Sequence, residues 1–286
     1  MAEYFAIQAA LCFAISHILI RRGLATSNAL TGSIISLGLS ALTMWVMSPF
    51  FLTWSSFFTH AVFYFIAAGI FAPGLGRTFV YMGIERIGVA RSTPISNTTP
   101  MFASVIAVLL MGETWTLQNF LGTSLVIVGV VTLSRTHGEQ HKEWRKTDLV
   151  FPILAALSFA VSSNLRKLGL LVENVPIMAS AVTATTAFLF VAGVTQLRGG
   201  LQLLKISRSS LLWFFAGGMA NTAAMLSVFY ALSHGKVVVV EPLVSTNPVF
   251  GILLAAVFLR DVEVITRRVV AGASCTVVGT LFVVLA

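Results

Sequence analysis

The sequence predicts an all-α membrane protein: ten transmembrane helices in two inverted five-helix repeats. Three observations lead there. The chain of 286 residues is 57% hydrophobic and only 10% charged, where a soluble domain carries about 25% charged residues, so most of its surface has to face lipid. Apolar stretches close to the ~20 residues a spanning helix needs recur along nearly the whole length. Finally, one unusual stretch is stated twice. Gly88–Glu113 reads GVARSTPISNTTPMFASVIAVLLMGE, and Lys236–Asp261 reads KVVVVEPLVSTNPVFGILLAAVFLRD. A single register pairs Pro94 with Pro242, Pro100 with Pro248, Phe102 with Phe250 and Glu113 with Asp261.

In chain order the apolar spans are Tyr4–Ile20, Ala29–Met47, Ala61–Met82, Val89–Met111 and Leu117–Leu133, then Leu149–Leu165, Val175–Leu197, Leu211–Leu232, Val237–Leu259 and Val264–Leu285. The one clearly polar connection, RTHGEQHKEWRKTD, lies between the fifth and sixth spans. It divides the chain into a first repeat (1–134), a cytoplasmic linker (135–147) and a second repeat (148–286). The first span carries ALCFAISHILIRRGL and the sixth ALSFAVSSNLRKLGL, with Ala10, Leu11, Phe13, Ala14, Ser16, Leu19, Gly23 and Leu24 recurring at a constant offset. Gly122 and Gly129 of the fifth span are echoed by Gly272 and Gly279 of the tenth.

Five spans per repeat make the second half enter the membrane from the opposite side. Inverted halves of this kind enclose a cavity near the midplane and open it to either face in turn. Lys and Arg bias sets the orientation. Loops after odd-numbered spans hold Arg21, Arg22, Arg86, Arg91, Arg135, Lys142, Arg145, Lys146, Arg198, Lys205, Arg208, Arg260, Arg267 and Arg268, against Arg166, Lys167 and Lys236 after even-numbered ones. That places the central linker in the cytoplasm and both termini outside.

Composition also excludes functions. The net charge of +8 is a matter of membrane topology, not of nucleic-acid binding. Cys12 and Cys275 lie within spans without metal-ligand neighbours, and His17, His60, His137, His141 and His234 are scattered, so no catalytic set, metal or cofactor is expected. No GxxxxGK[ST] phosphate loop is present, so transport is not driven by nucleotide hydrolysis in this chain. The partners expected are a small-molecule substrate and the lipid bilayer, and a monomer suffices because one chain holds both sides of the cavity. The competing class is a membrane-embedded enzyme or a scaffold.

The doubled proline stretch is where a site is expected. A proline inside a helix frees a carbonyl one turn earlier, here those of Ala90, Ser96, Val238 and Val244, and in lipid such groups survive only beside protein or water. Helical spacing puts Thr93 and Asn97 on one stripe of the fourth span, matched by Glu241 and Ser245 in the ninth. Ser16 of the first span is matched by Ser162 of the sixth, beside Asn164. The expected substrate-binding set is Ser16, His17, Tyr81, Thr93, Asn97, Ser162, Asn164, Asn221, Tyr230, Glu241, Ser245 and Asn247, with Pro94, Pro100, Pro242 and Pro248 as helix breaks. Each has a plainer reading. Small and hydroxyl residues also serve as helix–helix glue, asparagines beside prolines also cap broken backbone, and Glu241 also sits where it could satisfy helix-end N–H groups. Arg77 either receives a substrate carboxylate or snorkels to the cytoplasmic surface, the second being the expected reading.

Two five-span repeats, each with a proline-broken fourth helix, a following Gly-Glu or Arg-Asp and a glycine-spaced last helix, resemble the EamA-type drug/metabolite transporter superfamily. The stretches TPISNTTPMFASVIAVLLMGETWTLQNFLGTSLVIVGV and EPLVSTNPVFGILLAAVFLRD carry the resemblance, which extends over nearly the whole chain. It implies a secondary carrier for small organic solutes, most like the bacterial ten-helix exporters of amino acids and related metabolites, with amphipathic drugs or sugar-like solutes as the alternative. One departure is clear. The small multidrug branch places a carboxylate in its first helix, whereas the first span here holds Ser16 and His17 and no acid.

Overall fold

A computed structural model describes residues 1–51, 59–87, 92, 95–134, 145–204, 207–258 and 267–286. Among the described residues all regular structure is helical. The α-helices are α1 (Ala2–Leu24), α2 (Ala29–Phe51), α3 (Ala61–Gly69), α4 (Gly76–Ile87), α5 (Thr99–Met111), α6 (Leu117–Ser134), α7 (Val150–Val172), α8 (Pro176–Arg198), α9 (Arg208–His234), α10 (Val237–Val244), α11 (Asn247–Phe258) and α12 (Arg267–Val284). Among the described residues six stretches are long and apolar enough to cross a membrane: Ala2–Leu24, Leu30–Phe50, Ala61–Val80, Lys146–Val172, Pro176–Leu197 and Arg208–His234. The apolar helices Thr99–Met111, Leu117–Thr132, Val237–Gly251 and Ala271–Val284 are shorter and coincide with the fourth, fifth, ninth and tenth spans expected from sequence.

Several of the expected spans differ in outline for local reasons. The third is interrupted by a wide turn over Ile70–Leu75, where Ala72 adopts an extended backbone (φ −148°, ψ 127°), as a residue ahead of proline prefers. The sixth runs past Leu165 to Val172, so Arg166 and Lys167 belong to the helix and not to a loop. The ninth stops at Val244 and restarts at Asn247, one turn after Pro242.

Packing joins the two halves of the sequence more than it joins neighbours within a half. α1 lies along α9, α2 along α8 and α6 along α12, while α3, α4 and α5 all rest on α7. The interior is built of small side chains. Ala6, Ala9, Ala10, Ala61, Ala103, Ala107, Ala156 and Ala160 are completely buried, whereas Phe50, Leu109, Leu197 and Leu212 stand 80%, 76%, 89% and 73% exposed. In water so much exposed apolar surface would drive association. Against lipid it is the surface required, and small residues inside let helix backbones approach closely.

α6 and α12 approach closely. A Cβ on Gly129 would lie 2.2 Å from Thr276 Oγ1 and 2.6 Å from its backbone nitrogen, and one on Gly279 would lie 2.6 Å from the nitrogen of Val126 and 2.7 Å from the carbonyl oxygen of Gly122. The glycines that echo one another in the sequence therefore meet on one seam.

Candidate functional site

The site begins with two interrupted helices. Ile95–Ser96 and α5 are separated by a turn at Asn97–Thr98, and α10 and α11 by a turn at Ser245–Thr246. Pro100 sits in the first turn of α5 and Pro248 in that of α11, where a missing N–H costs nothing. The carbonyls left over are met by side chains. Thr98 Oγ1 donates to Ile95 O at 2.7 Å and Thr99 Oγ1 to Ser96 O at 2.8 Å. In the second half Thr246 Oγ1 donates to Leu243 O at 2.7 Å and Asn247 Nδ2 to Val244 O at 3.3 Å. Thr98 and Thr99 occupy the positions that Thr246 and Asn247 occupy in the repeated stretch, so both breaks are stabilised in the same way. Thr93 and Pro94 lie outside the described residues, as does the side chain of Tyr81.

Both breaks open onto a cavity of about 470 Å³, within the range of small-molecule sites. From the first break it is lined by Ser96, Asn97 and Thr99, and from the second by Glu241, Ser245 and Asn247. α1 contributes Phe13 and His17, whose rings stack with centroids 6.2 Å apart. The wide turn after α3 contributes Ala72 and Pro73, α4 Arg77, α7 Phe159, Ser163 and Arg166, and α9 Asn221.

Arg166 is fixed from two sides. Its Nη2 donates to the carbonyl of Ala72 at 3.0 Å, a group set free by the irregular turn, and its guanidinium lies 5.5 Å from the centre of the Phe229 ring, a cation–π arrangement. Ser163, one turn earlier on α7, donates to the Glu241 carboxylate. Arg166 lines the cavity beside this Ser163–Glu241 pair. Arg77 donates to Ser33 Oγ at 3.0 Å and lines the same space, so the snorkelling expected of it is corrected: its charge is turned inward.

Of the residues expected to bind substrate, His17, Asn97, Asn221, Glu241, Ser245 and Asn247 are brought together on this cavity. Others are spent on packing. Ser16 Oγ donates to the carbonyl of Gly217 at 2.8 Å, and Ser162 Oγ donates to that of Ala68 at 2.8 Å. Asn164 Nδ2 donates to the carbonyls of Ala103 and Ala160 at 3.1 and 2.8 Å. Tyr230 stacks on Phe5 with centroids 5.3 Å apart. These four are away from the lining and hold helices to one another. The plainer role considered for Glu241, satisfying helix-end N–H groups, belongs to another residue: the N–H groups of Val237 and Val238 donate to the Glu113 carboxylate at 2.9 and 3.0 Å.

Ser163, Arg166, Ser96 and Phe159 were not anticipated. A signal for two of them was present. Ser163 and Arg166 are spaced i, i+3 and so share a helix face, but the Arg-Lys pair at 166–167 reads as a loop when the span is ended at Leu165.

The profile of the EamA-like transporter family matches residues 1–135 and 146–285. The chain belongs to the EamA-like transporter family. It is thus a multi-pass integral membrane protein, and a transporter rather than an enzyme. Relatives agree. A protein of Archaeoglobus fulgidus described as an "uncharacterized transporter" is 24% identical over 215 residues, 74% of this chain and 72% of that protein. A "putative sugar uptake protein" of Lactobacillus johnsonii is 29% identical over 136 residues, 44% of this chain and 45% of that protein. A solved crystal structure shares the fold of this EamA-like chain with a TM-score of 0.80 at 14% identity, covering 99% of this chain and 98% of that one.

Proposed function

We propose that this EamA-like protein is a secondary transporter that moves small organic metabolites by alternating access and exports amino acids or related compounds. Ten membrane-crossing segments form two inverted halves, with both termini on the outer face of a bacterial plasma membrane. The observation that carries this reading is the cavity at the two helix breaks. It is large enough for a small metabolite, it is walled by helices from both halves, and its lining combines charged groups, amides and hydroxyls with the rings of Phe13 and Phe159. Substrate is held by His17, Asn97, Asn221, Glu241, Ser245 and Asn247, joined by Arg77, Ser163 and Arg166. Discontinuous helices at the centre of a bundle are the usual form of such sites, because irregular backbone is tolerated only where it faces a cavity or protein.

Sugar-like solutes are the second reading, favoured by the printed description of the Lactobacillus relative and by the three asparagines on the lining. Proteoliposomes loaded with labelled amino acids or sugars distinguish the two. Saturable counterflow of an amino acid is the expected result. Counterflow of sugars alone moves the assignment to the second reading, and exchange of neither, with correctly inserted protein, removes the site.

A further inference from the structure

The charges around the cavity do not balance, and this points to the kind of solute it takes. Among the described residues Arg77 and Arg166 line it against one carboxylate, that of Glu241, so two positive charges less one negative leave a surplus of one, counting His17 as neutral. Glu241 does not neutralise either arginine by contact. Its carboxylate is engaged by Ser163, and among the described residues neither guanidinium forms an ion pair with it. Arg77 has an uncharged partner, the Ser33 hydroxyl at 3.0 Å. Among the described residues Arg166 bonds to the Ala72 carbonyl through Nη2, while its buried Nε has no hydrogen-bond partner. A guanidinium carries five donors in a planar fork suited to a carboxylate. Taking such a group out of water without an acceptor is unfavourable, and a counter-charge relieves it.

We propose that the transported solute carries net negative charge, as an organic carboxylate whose oxyanion is received between Arg166 and Arg77. Resting on the transport reading above, this names its substrate class. The geometry gives each arginine a reason for its position. Arg166 is anchored by Ala72 O and the Phe229 face, so its fork is pre-oriented toward the cavity. Arg77 approaches from α4, on the other side of the irregular turn. Phe13 and Phe159 offer an apolar flank to the carbon skeleton. A zwitterion would place its ammonium by Glu241 and leave the surplus charge in place; an acid with one further carboxylate cancels it.

The test uses the full-length protein in proteoliposomes and compares labelled glutamate, glutamine and ornithine, three solutes of similar size and different net charge, together with a panel of simple carboxylic acids and their amides as competitors. Glutamate or another acid is expected to exchange at least tenfold better than its amide. Arg166→Gln and Arg77→Gln should reduce that acid-to-amide ratio about tenfold, and Arg166→Lys should restore part of it. The ratio is read on variants that still exchange the amide measurably, because poorer insertion scales both fluxes together whereas loss of charge selection lowers the acid flux alone. If wild type moves amides or cations as well as acids, or if both arginine variants keep the wild-type ratio, the charge assignment falls and the transport reading stands. If no solute of any charge exchanges, the transport reading falls and takes this inference with it.

Discussion

The seam where α6 crosses α12 and the wall where α10 faces α7 are both built from small and polar residues, yet they are put to opposite use. On the seam, Gly122, Gly129, Gly279 and Thr276 bring two backbones into direct contact, and the Thr276 hydroxyl turns back to its own helix, donating to Gly272 O at 2.9 Å. Thr280 turns back in the same way, its hydroxyl donating to Thr276 O at 2.8 Å. On the wall, Ser163 and Glu241 face one another beside Arg166, and between them and the opposite helices lies a cavity of about 470 Å³. Small polar residues therefore do not by themselves identify a site in a membrane protein. What separates the two is whether the polar atoms are consumed by nearby carbonyls or left facing open space.

The sharpest way to break this comparison is to place side chains on the seam. Gly129→Leu would put a Cβ 2.6 Å from a backbone nitrogen, which no rotamer change can relieve. Overpacking usually costs about 1–3 kcal/mol, and here the obstacle is backbone, so the upper end or beyond is expected. Loss of a monodisperse peak in detergent, or a large fall in melting temperature, is the expected result; a variant as stable as wild type would show that the seam can separate. On the wall, removal of a charge should act on transport and not on folding. Glu241→Gln keeps the shape and the bond to Ser163, so melting should stay close to wild type while flux falls about tenfold or more, equivalent to about 1.4 kcal/mol in substrate or transition-state binding. Asn97→Ala should act in the same direction. Normal flux in both, with normal expression, would detach the cavity from transport.

A third prediction concerns the end of α10. Glu113→Ala leaves the N–H groups of Val237 and Val238 without their carboxylate and removes a negative charge from a helix N-terminus. About 1–3 kcal/mol of stability should be lost, read as a lower melting temperature, with Glu113→Gln recovering part of it. An unchanged melting temperature would mean that water replaces the carboxylate at no cost.

Much of this fold was legible in the sequence because its signals are local. Hydropathy gave the apolar spans, and the paired prolines marked both breaks to within a few residues. The echoed glycines of the fifth and tenth spans were visible as a repeat, but that the two helices meet on them was not. Other features were hidden because they depend on contacts far apart in the chain. That Ser162 holds Ala68 cannot be seen from its stripe, which it shares with Phe159 and Arg166 of the cavity wall, and that Asn164 holds Ala103 depends on a residue 61 positions away. Arg166 was hidden for a different reason. A hydrophobic window ends at a charge, yet α7 carries its arginine inward, supported by Ala72 and Phe229, groups that sequence spacing does not bring near it.

The smallest effect tests how finely glue and wall are divided. Ser16 and His17 are adjacent on α1, and successive residues on a helix point about 100° apart. One of them is fully buried with its hydroxyl on Gly217 O at 2.8 Å, and the other lines the cavity. Ser16→Ala removes a hydroxyl that donates to a carbonyl in α9, and the loss should be about 0.5–1.5 kcal/mol. Flux should remain within about twofold of wild type, since no lining atom changes. Thermal melting and counterflow on the same preparation check both halves of the expectation. A variant with unchanged melting and reduced flux would place Ser16 on the wall and move the boundary between the two regions by one residue on α1.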